Sequence, residues 1–311
     1  MSSRWLVTVV VAASSWLSSA ALQANAQNPK HTRFVDAHVH VWTPDTVRYQ
    51  LVAGFKKENM KPASFTPEEL FKHCKPAGVG RVNLIQMSFY GFDNSYMLDV
   101  IAKYPDVFVG TAVINPLGKD PALAMDELAK KGVRAFRILP KLSEQPIDQW
   151  LRPEGYKKMF AAGARNNQAM ACLIGLDALP ELDRMCTEYP DTPVIIDHLA
   201  RIGADGMIRD GDVDRLCAMA KHKKVMVKIG AFYALGKKQP PYTDLAPLIK
   251  KVVAAFGARR CMWESDCPFQ VQRENTYQAS VDLVLRRLDF LSADEKEWIL
   301  RETAERFFFV K

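Results

Sequence analysis

The sequence contains no C-x-x-C pair, no G-x-G-x-x-G loop, no internal repeat, no low-complexity tract and no basic run longer than a triplet. The first absence sets aside zinc-ribbon and thioredoxin-type redox chemistry, and the second a dinucleotide fold. The missing repeat sets aside solenoids. A net charge of +7 is spread thinly along the chain. A nucleic-acid footprint concentrates Lys and Arg on one element, so the expected partner is a small molecule, with an anion favoured, and no nucleic acid.

Long apolar runs are scarce too. The stretch Trp5 to Ala13 is interrupted by Ser14, Ser15, Ser18 and Ser19, well short of the roughly 20 residues that a spanning helix needs. With Arg4 as its only charge and Ala24-Asn25-Ala26 as a small-residue cleavage site, this segment reads as a signal peptide over residues 1–26. The mature chain is then expected to start near Gln27 and to be exported to the periplasm or the medium, with no stable membrane anchor. Six cysteines would allow disulfides there, but Cys74, Cys172, Cys186, Cys217, Cys261 and Cys267 show no short repeated spacing. A chain of 311 residues that is 48% hydrophobic has core enough without staples. Buried free thiols are expected.

What is present is a rhythm. Short apolar runs rich in β-branched residues recur with helical stretches between them, as in βα units around a parallel sheet. Eight such strands are expected: Phe34–His38, Val82–Met87, Val107–Ile114, Val133–Leu139, Ala169–Ile174, Val194–His198, Val225–Ile229 and Cys261–Ser265. Thr66-Pro67-Glu68-Glu69 and Ser292-Ala293-Asp294-Glu295 each match a capping box that opens a helix. Eight alternating units fit a closed barrel or a wide open sheet. Histidines and acids interrupt the carboxyl ends of the first, sixth and eighth strands, and convergence of such ends at one mouth is a barrel property. One (β/α)8 barrel over 27–311 is therefore expected, with the long segment 43–66 lying over its mouth.

Asp36-Ala37-His38-Val39-His40 places two imidazoles at i and i+2 on one strand, so both can address one point. They suit either a divalent metal or the polarisation of a carbonyl. Asp197-His198 ends a run of Val and Ile, where an acid is costly without a partner. Ser265-Asp266-Cys267-Pro268 ends the eighth strand with a carboxylate that could ligate a metal or remove a proton from water. Arg137, Lys228, Arg201 and Tyr233 lie at or just beyond strand ends and are candidates for binding an anionic substrate. Cys267, with no partner histidine for thiol chemistry, is assigned to packing.

The H-x-H, D-H-L and S-D-x-P segments, in this order and on these strands, resemble the amidohydrolase-related family of TIM-barrel hydrolases over about Phe34 to Phe308. The likeness is nearest its lactonase branch, which opens pyrone-dicarboxylate and sugar-acid lactones. That resemblance implies His38, His40, His198 and Asp266 as the metal or carbonyl set, with Asp266 as general base and His198 as its catalytic partner. The reaction it implies is hydrolysis of a lactone of a sugar acid or dicarboxylate. A departure bears on the cofactor: metal-dependent members carry a further histidine or modified lysine near the fourth or fifth strand, and Ala169-Met170-Ala171-Cys172-Leu173-Ile174-Gly175 has neither. One zinc or manganese ion, or none, is compatible with the ligands present. The alternatives are a metal-dependent decarboxylase on the same barrel and a non-catalytic ligand-binding barrel.

Overall fold

The computed structural model describes residues 33–309. The expected signal peptide lies outside these residues. Eight strands run in the order β1 to β8, each parallel to its neighbour: β1 Phe34–Val39, β2 Val79–Ile85, β3 Phe108–Ala112, β4 Val133–Ile138, β5 Ala169–Cys172, β6 Val194–Ile196, β7 Val225–Gly230 and β8 Cys261–Glu264. Helices α1 Pro67–Cys74, α2 Ser95–Lys103, α3 Pro121–Ala129, α4 Glu154–Asn166, α5 Leu179–Glu188, α6 Asp210–Ala218 and α7 Ala246–Phe256 follow the first seven strands in turn. After β8 come α8 Tyr277–Asp282, α9 Ala293–Glu297 and α10 Thr303–Phe308. This is the expected (β/α)8 barrel. The strand boundaries differ at several ends, and at β6 the reason is specific: the chain leaves the sheet at Ile196 because His198 enters a left-handed turn.

Both capping boxes form. Thr66 and Ser292 accept from the amides of Glu69 and Glu295, whose carboxylates reach back to the cap amides.

Alternation along the strands sorts the apolar side chains into two sets. Phe34, Val82, Phe136, Met170, Ile196, Val227 and Trp263 join the large core under the helices. Val35, Ala37, Val109, Ala135, Ala169, Ala171, Ile195 and Met262 form a smaller cluster along the barrel axis, joined by Ala304 and Phe308 of α10, which close its amino-terminal end. Higher in the barrel the inward positions turn polar. Asn83 on β2 donates to Thr111 Oγ1 on β3 at 2.9 Å and to the Ala37 carbonyl at 3.0 Å.

Backbone hydrogen bonds join β1 to the residues just beyond β8. The Asp266 amide donates to the His38 carbonyl at 2.9 Å, and the His40 amide to the Cys267 carbonyl at 2.8 Å. The seam is thus closed by the backbone of the residues that carry the site. Segment 43–66 is tied down at several points. Trp42 and Phe65 exchange backbone hydrogen bonds, Trp42 Nε1 donates to the Pro62 carbonyl at 3.0 Å, and Phe55 stacks on Phe89 with ring centres 5.2 Å apart.

Candidate active site

On β1 the inward parity changes. Val35 and Ala37 point to the axis, yet His38 and His40, rather than Val39, reach the site, and the register with β2 shifts between Asp36 and Val39. This bulge re-aims the histidine pair, a use of bulges that recurs near functional sites. Asp36, turned outward, holds it: its Oδ1 accepts the amides of His38 at 3.0 Å and Ser265 at 2.9 Å, while the Tyr277 hydroxyl of α8 donates to Oδ2.

His198 arrives by a different device. His198, Leu199, Ala200 and Arg201 all have φ between 52° and 61°, four consecutive left-handed residues without a glycine. Each costs roughly 1–2 kcal/mol in that region, so the surroundings must enforce the turn. Glu264 does so: one oxygen, Oε1, accepts both the His198 amide at 3.1 Å and its ring Nδ1 at 2.6 Å. Asp266 is itself left-handed, with φ 60°, and follows Glu264 by two residues at the end of β8.

The four side chains converge. The Nε2 atoms of His38 and His40 are 3.2 Å apart, and Asp266 Oδ1 lies 3.5 Å from the first and 3.3 Å from the second. His198 Nε2 is 4.0 Å from Asp266 Oδ2, which also accepts a 2.6 Å hydrogen bond from Tyr233. Burial drives the His40 pKa down to about 4, so this ring is neutral at ordinary pH. Its Nδ1 faces the Ile85 carbonyl at 2.9 Å, an acceptor only. The proton is therefore on Nδ1 and a bare lone pair on Nε2 faces Asp266. For His198, burial works against the charged form, but Glu264 and Asp266 outweigh it and raise its pKa. Burial alone would likewise push Asp266 up. The charge of His198 holds it instead far below the usual carboxylate range.

Behind the histidines lies a buried layer of charge. Lys228 Nζ is 3.0 Å from Asp197 Oδ1 and 3.0 Å from His38 Nδ1, which is also 3.0 Å from Glu264 Oε2. Burial opposes ionisation of Glu264, yet His198 and His38 bring it down to about 2, and Lys228 and His38 do the same for Asp197, well below the ordinary value. His38 Nδ1 cannot serve an ammonium and a carboxylate with the same proton state. The hydrogen bond is the one to Lys228, so Nδ1 accepts from the ammonium and Nε2 faces the lone pair of His40 Nε2 at 3.2 Å. Glu264 Oε2 has no hydrogen-bond partner among the described residues and meets the ring only as a charge.

The structure thus brings together His38, His40, His198, Asp266 and Tyr233. Arg137 on β4 is close enough for its charge to act on His40 and Tyr233, and its buried Nε has no hydrogen-bond partner among the described residues. Two expectations about substrate contacts shift. Lys228 is fully buried and ion-paired behind His38, with no face open to a ligand. Arg201 is exposed at the outer end of the left-handed turn. Sequence reasoning gave no role to Glu264; its signal was a carboxylate two places before Asp266, hence on the same face of the strand.

Three facing atoms decide whether a cation suits this site. His40 Nε2 and Asp266 Oδ1 are acceptors beside His38 Nε2, and Asp266 Oδ1 is buried with no hydrogen-bond partner among the described residues. Ligand atoms of His38, His40 and Asp266 lie within 4.8 Å of one another, as do those of His38, His198 and Glu264. Two imidazole nitrogens gathered with a carboxylate suit a divalent cation such as zinc or manganese.

The amidohydrolase family profile matches residues 35–310 of the chain. The chain is 25% identical over 241 residues to the L-fucono-1,5-lactonase of Burkholderia ambifaria, covering 75% of this chain and 80% of that one. It is 24% identical over 285 residues to the 4-sulfomuconolactone hydrolase of Hydrogenophaga intermedia, covering 88% of each. Its fold is similar to that of a 2-pyrone-4,6-dicarboxylic acid hydrolase from Pseudomonas putida, with a TM-score of 0.74 and 22% identity over 89% of this chain and 98% of that one. With the barrel, the H-x-H strand, His198 and the terminal Asp266 in place, these matches make the chain a member of the amidohydrolase family of TIM-barrel hydrolases.

Proposed function

We propose that the protein hydrolyses a lactone that bears a carboxylate. The observation that carries this reading is the Asp266 carboxylate: Tyr233 donates to Oδ2 while Oδ1 is left unpartnered at the centre of the site. A carboxylate fixed through one oxygen and free at the other is placed to take a proton from water. Burial and Asp266 keep the Tyr233 phenol protonated, so it remains a donor.

The steps follow from the proton inventory. Water attacks the ring carbonyl carbon and Asp266 accepts its proton. Negative charge develops on the carbonyl oxygen, where the Nε2–H of His198, favoured by Glu264 and Asp266, can donate. The ring C–O bond then breaks, and the proton on Asp266 passes to the departing alkoxide to give the open hydroxy acid. His40 has no proton to offer the carbonyl, which argues against histidines acting alone. We infer that His38 and His40 would hold a zinc or manganese ion beside the Asp266 base, and that its Lewis acidity would polarise the carbonyl and acidify bound water. The two curated lactone hydrolases similar to this chain support the substrate class, and Arg137 supports an anionic substituent. The apolar segment over residues 5–13 and the Ala24-Asn25-Ala26 site support export as a further proposal, testable by the mass of the mature amino terminus.

The test is turnover of purified protein on sugar-acid and dicarboxylate lactones, followed by proton release. Asp266→Asn should lower kcat by at least about a thousandfold, since the base acts in the transition state. Arg137→Ala should raise KM for carboxylated lactones about 10- to 100-fold, the worth of a lost charged hydrogen bond, and leave neutral lactones unchanged. Equal losses on both substrate classes would remove Arg137 from carboxylate recognition, and unchanged turnover in Asp266→Asn would sink the mechanism.

A further inference from the structure

Most of the groups around Asp266 are polar, but one flank is not. Phe269 follows Asp266 by three residues, and its amide donates to the Asp266 carbonyl at 3.1 Å. Its ring meets that of His40 edge to face, with centres 5.7 Å apart, and lies at 31° to that of Tyr233, 6.4 Å away. Behind it stands Trp42, 1% exposed and 6.4 Å from it, braced in turn by Phe65 and Phe89. Trp42 has no donor to spare, because its indole N–H already donates to the Pro62 carbonyl at 3.0 Å. Phe269 itself is only partly buried. The groove on the outside of the barrel is lined by its neighbours Pro268 and Val271 and not by Phe269, so its ring is turned the other way, to the mouth.

We propose that Phe269 is a specificity-determining residue, an apolar wall on which the substrate ring lies, favouring a flat, unsaturated lactone over a saturated, polyhydroxylated one. This rests on the lactone-hydrolase reading for the bond that is cut, but not for the shape of the ligand that binds. A phenyl ring offers a face for offset stacking on another planar π-system, and it has no hydrogen-bond donor. A hydroxyl pressed against it gives up water and gains no partner, which is costly. A ring of sp2 carbons loses nothing of the kind. Arg137 sits on β4, four strands from β8 either way round the barrel. A carboxylate held by Arg137 and a ring laid on Phe269 are thus met from opposite sides of the mouth. Phe269→Leu keeps an apolar side chain there and removes the flat face.

The experiment measures by calorimetry the binding of benzene-1,3-dicarboxylate and cis-cyclohexane-1,3-dicarboxylate, a flat and a saturated ring with the same charges, to wild type and Phe269→Leu. Turnover is followed beside it on a 2-pyrone carboxylate and on a saturated, hydroxylated γ-lactone carboxylate, with circular dichroism to verify folding. Wild type is expected to bind the flat diacid more tightly. Phe269→Leu should weaken that binding about 3- to 10-fold, the worth of an aromatic pair, and change the saturated diacid less than about twofold. The kcat/KM ratio of the two lactones should fall by the same factor, chiefly through KM. Equal weakening of both diacids would overturn the proposal, as would unchanged binding of the flat one or no binding of either. If wild type opens no lactone while the diacids are still told apart through Phe269, the wall stands and the lactone reading falls. If both lactones are opened and Phe269→Leu leaves their ratio unchanged, the wall falls and the lactone reading stands. If Phe269→Leu does not fold, Phe269→Met decides by the same ratios.

Discussion

Asp36 shows how much one side chain can be asked to do. It joins the bulge amide of His38, the amide of Ser265 and the Tyr277 hydroxyl, while burial raises its pKa from 3.8 to about 6. A carboxyl whose folded pKa exceeds its unfolded value favours the folded state when protonated, so this contribution is complete below about pH 4 and is lost as pH rises to about 6. Asp36→Asn has no such dependence. Its melting temperature relative to wild type should therefore climb between pH 4 and 6, by the equivalent of about 2–3 kcal/mol, and stay level above. A difference that is constant with pH would show that Asp36 is not held in this way. At this scale the sequence was informative wherever a polar residue broke an apolar run: His38, His40, His198 and Asp266 all stood out for that reason. The position of Lys228 did not, because a lysine in a strand reads the same whether its end meets substrate or, as here, a buried Asp197.

The left-handed turn is the least ordinary element. Ala200, at φ 52° and ψ 27°, bears strain that glycine would not, roughly 1–2 kcal/mol. Against this, glycine adds about 0.4–1 kcal/mol of entropy to the unfolded chain. The balance favours Ala200→Gly by about 0.5–1 kcal/mol, which for a chain of this size raises the melting temperature by about 2 °C. Scanning calorimetry decides it, and a lower melting temperature would mean that the Ala200 methyl contributes more by packing than the turn costs. Elements were legible in kind more than in extent. Apolar runs and capping boxes announce strands and helix starts, and both capping boxes formed. The bulge in β1 and the early end of β6 were not legible, since each depends on a distant contact, Ser265 with Asp36 and Glu264 with His198. Local periodicity holds no record of such contacts.

At the scale of the molecule, the barrel is plugged at one end and chemically equipped at the other. Phe308, 1% exposed, reaches the axial cluster from α10. Phe308→Ala should cost about 3–5 kcal/mol, read as a lower denaturation midpoint in urea, with kcat of the folded fraction unchanged because the site lies at the opposite ends of the strands. A loss of kcat at full folding would show that the plug and the mouth are coupled. A barrel could be told from an open sheet in the sequence by where the acids and histidines fell, at strands one, six and eight. Closure itself could not, because the hydrogen bonds that join β1 to β8 involve backbone groups that every residue carries.

That seam has a consequence in time. His38 lies on β1 and His40 just after it, whereas Asp266 follows β8; Ser265 bonds to Asp36 across 229 residues of chain. A nascent or truncated barrel lacking its final strand lacks Glu264 and Asp266 and any support for the β1 bulge. Activity in a refolding chain is then a report on its slowest, most non-local contact, and the enzyme has nothing to misuse until it is whole.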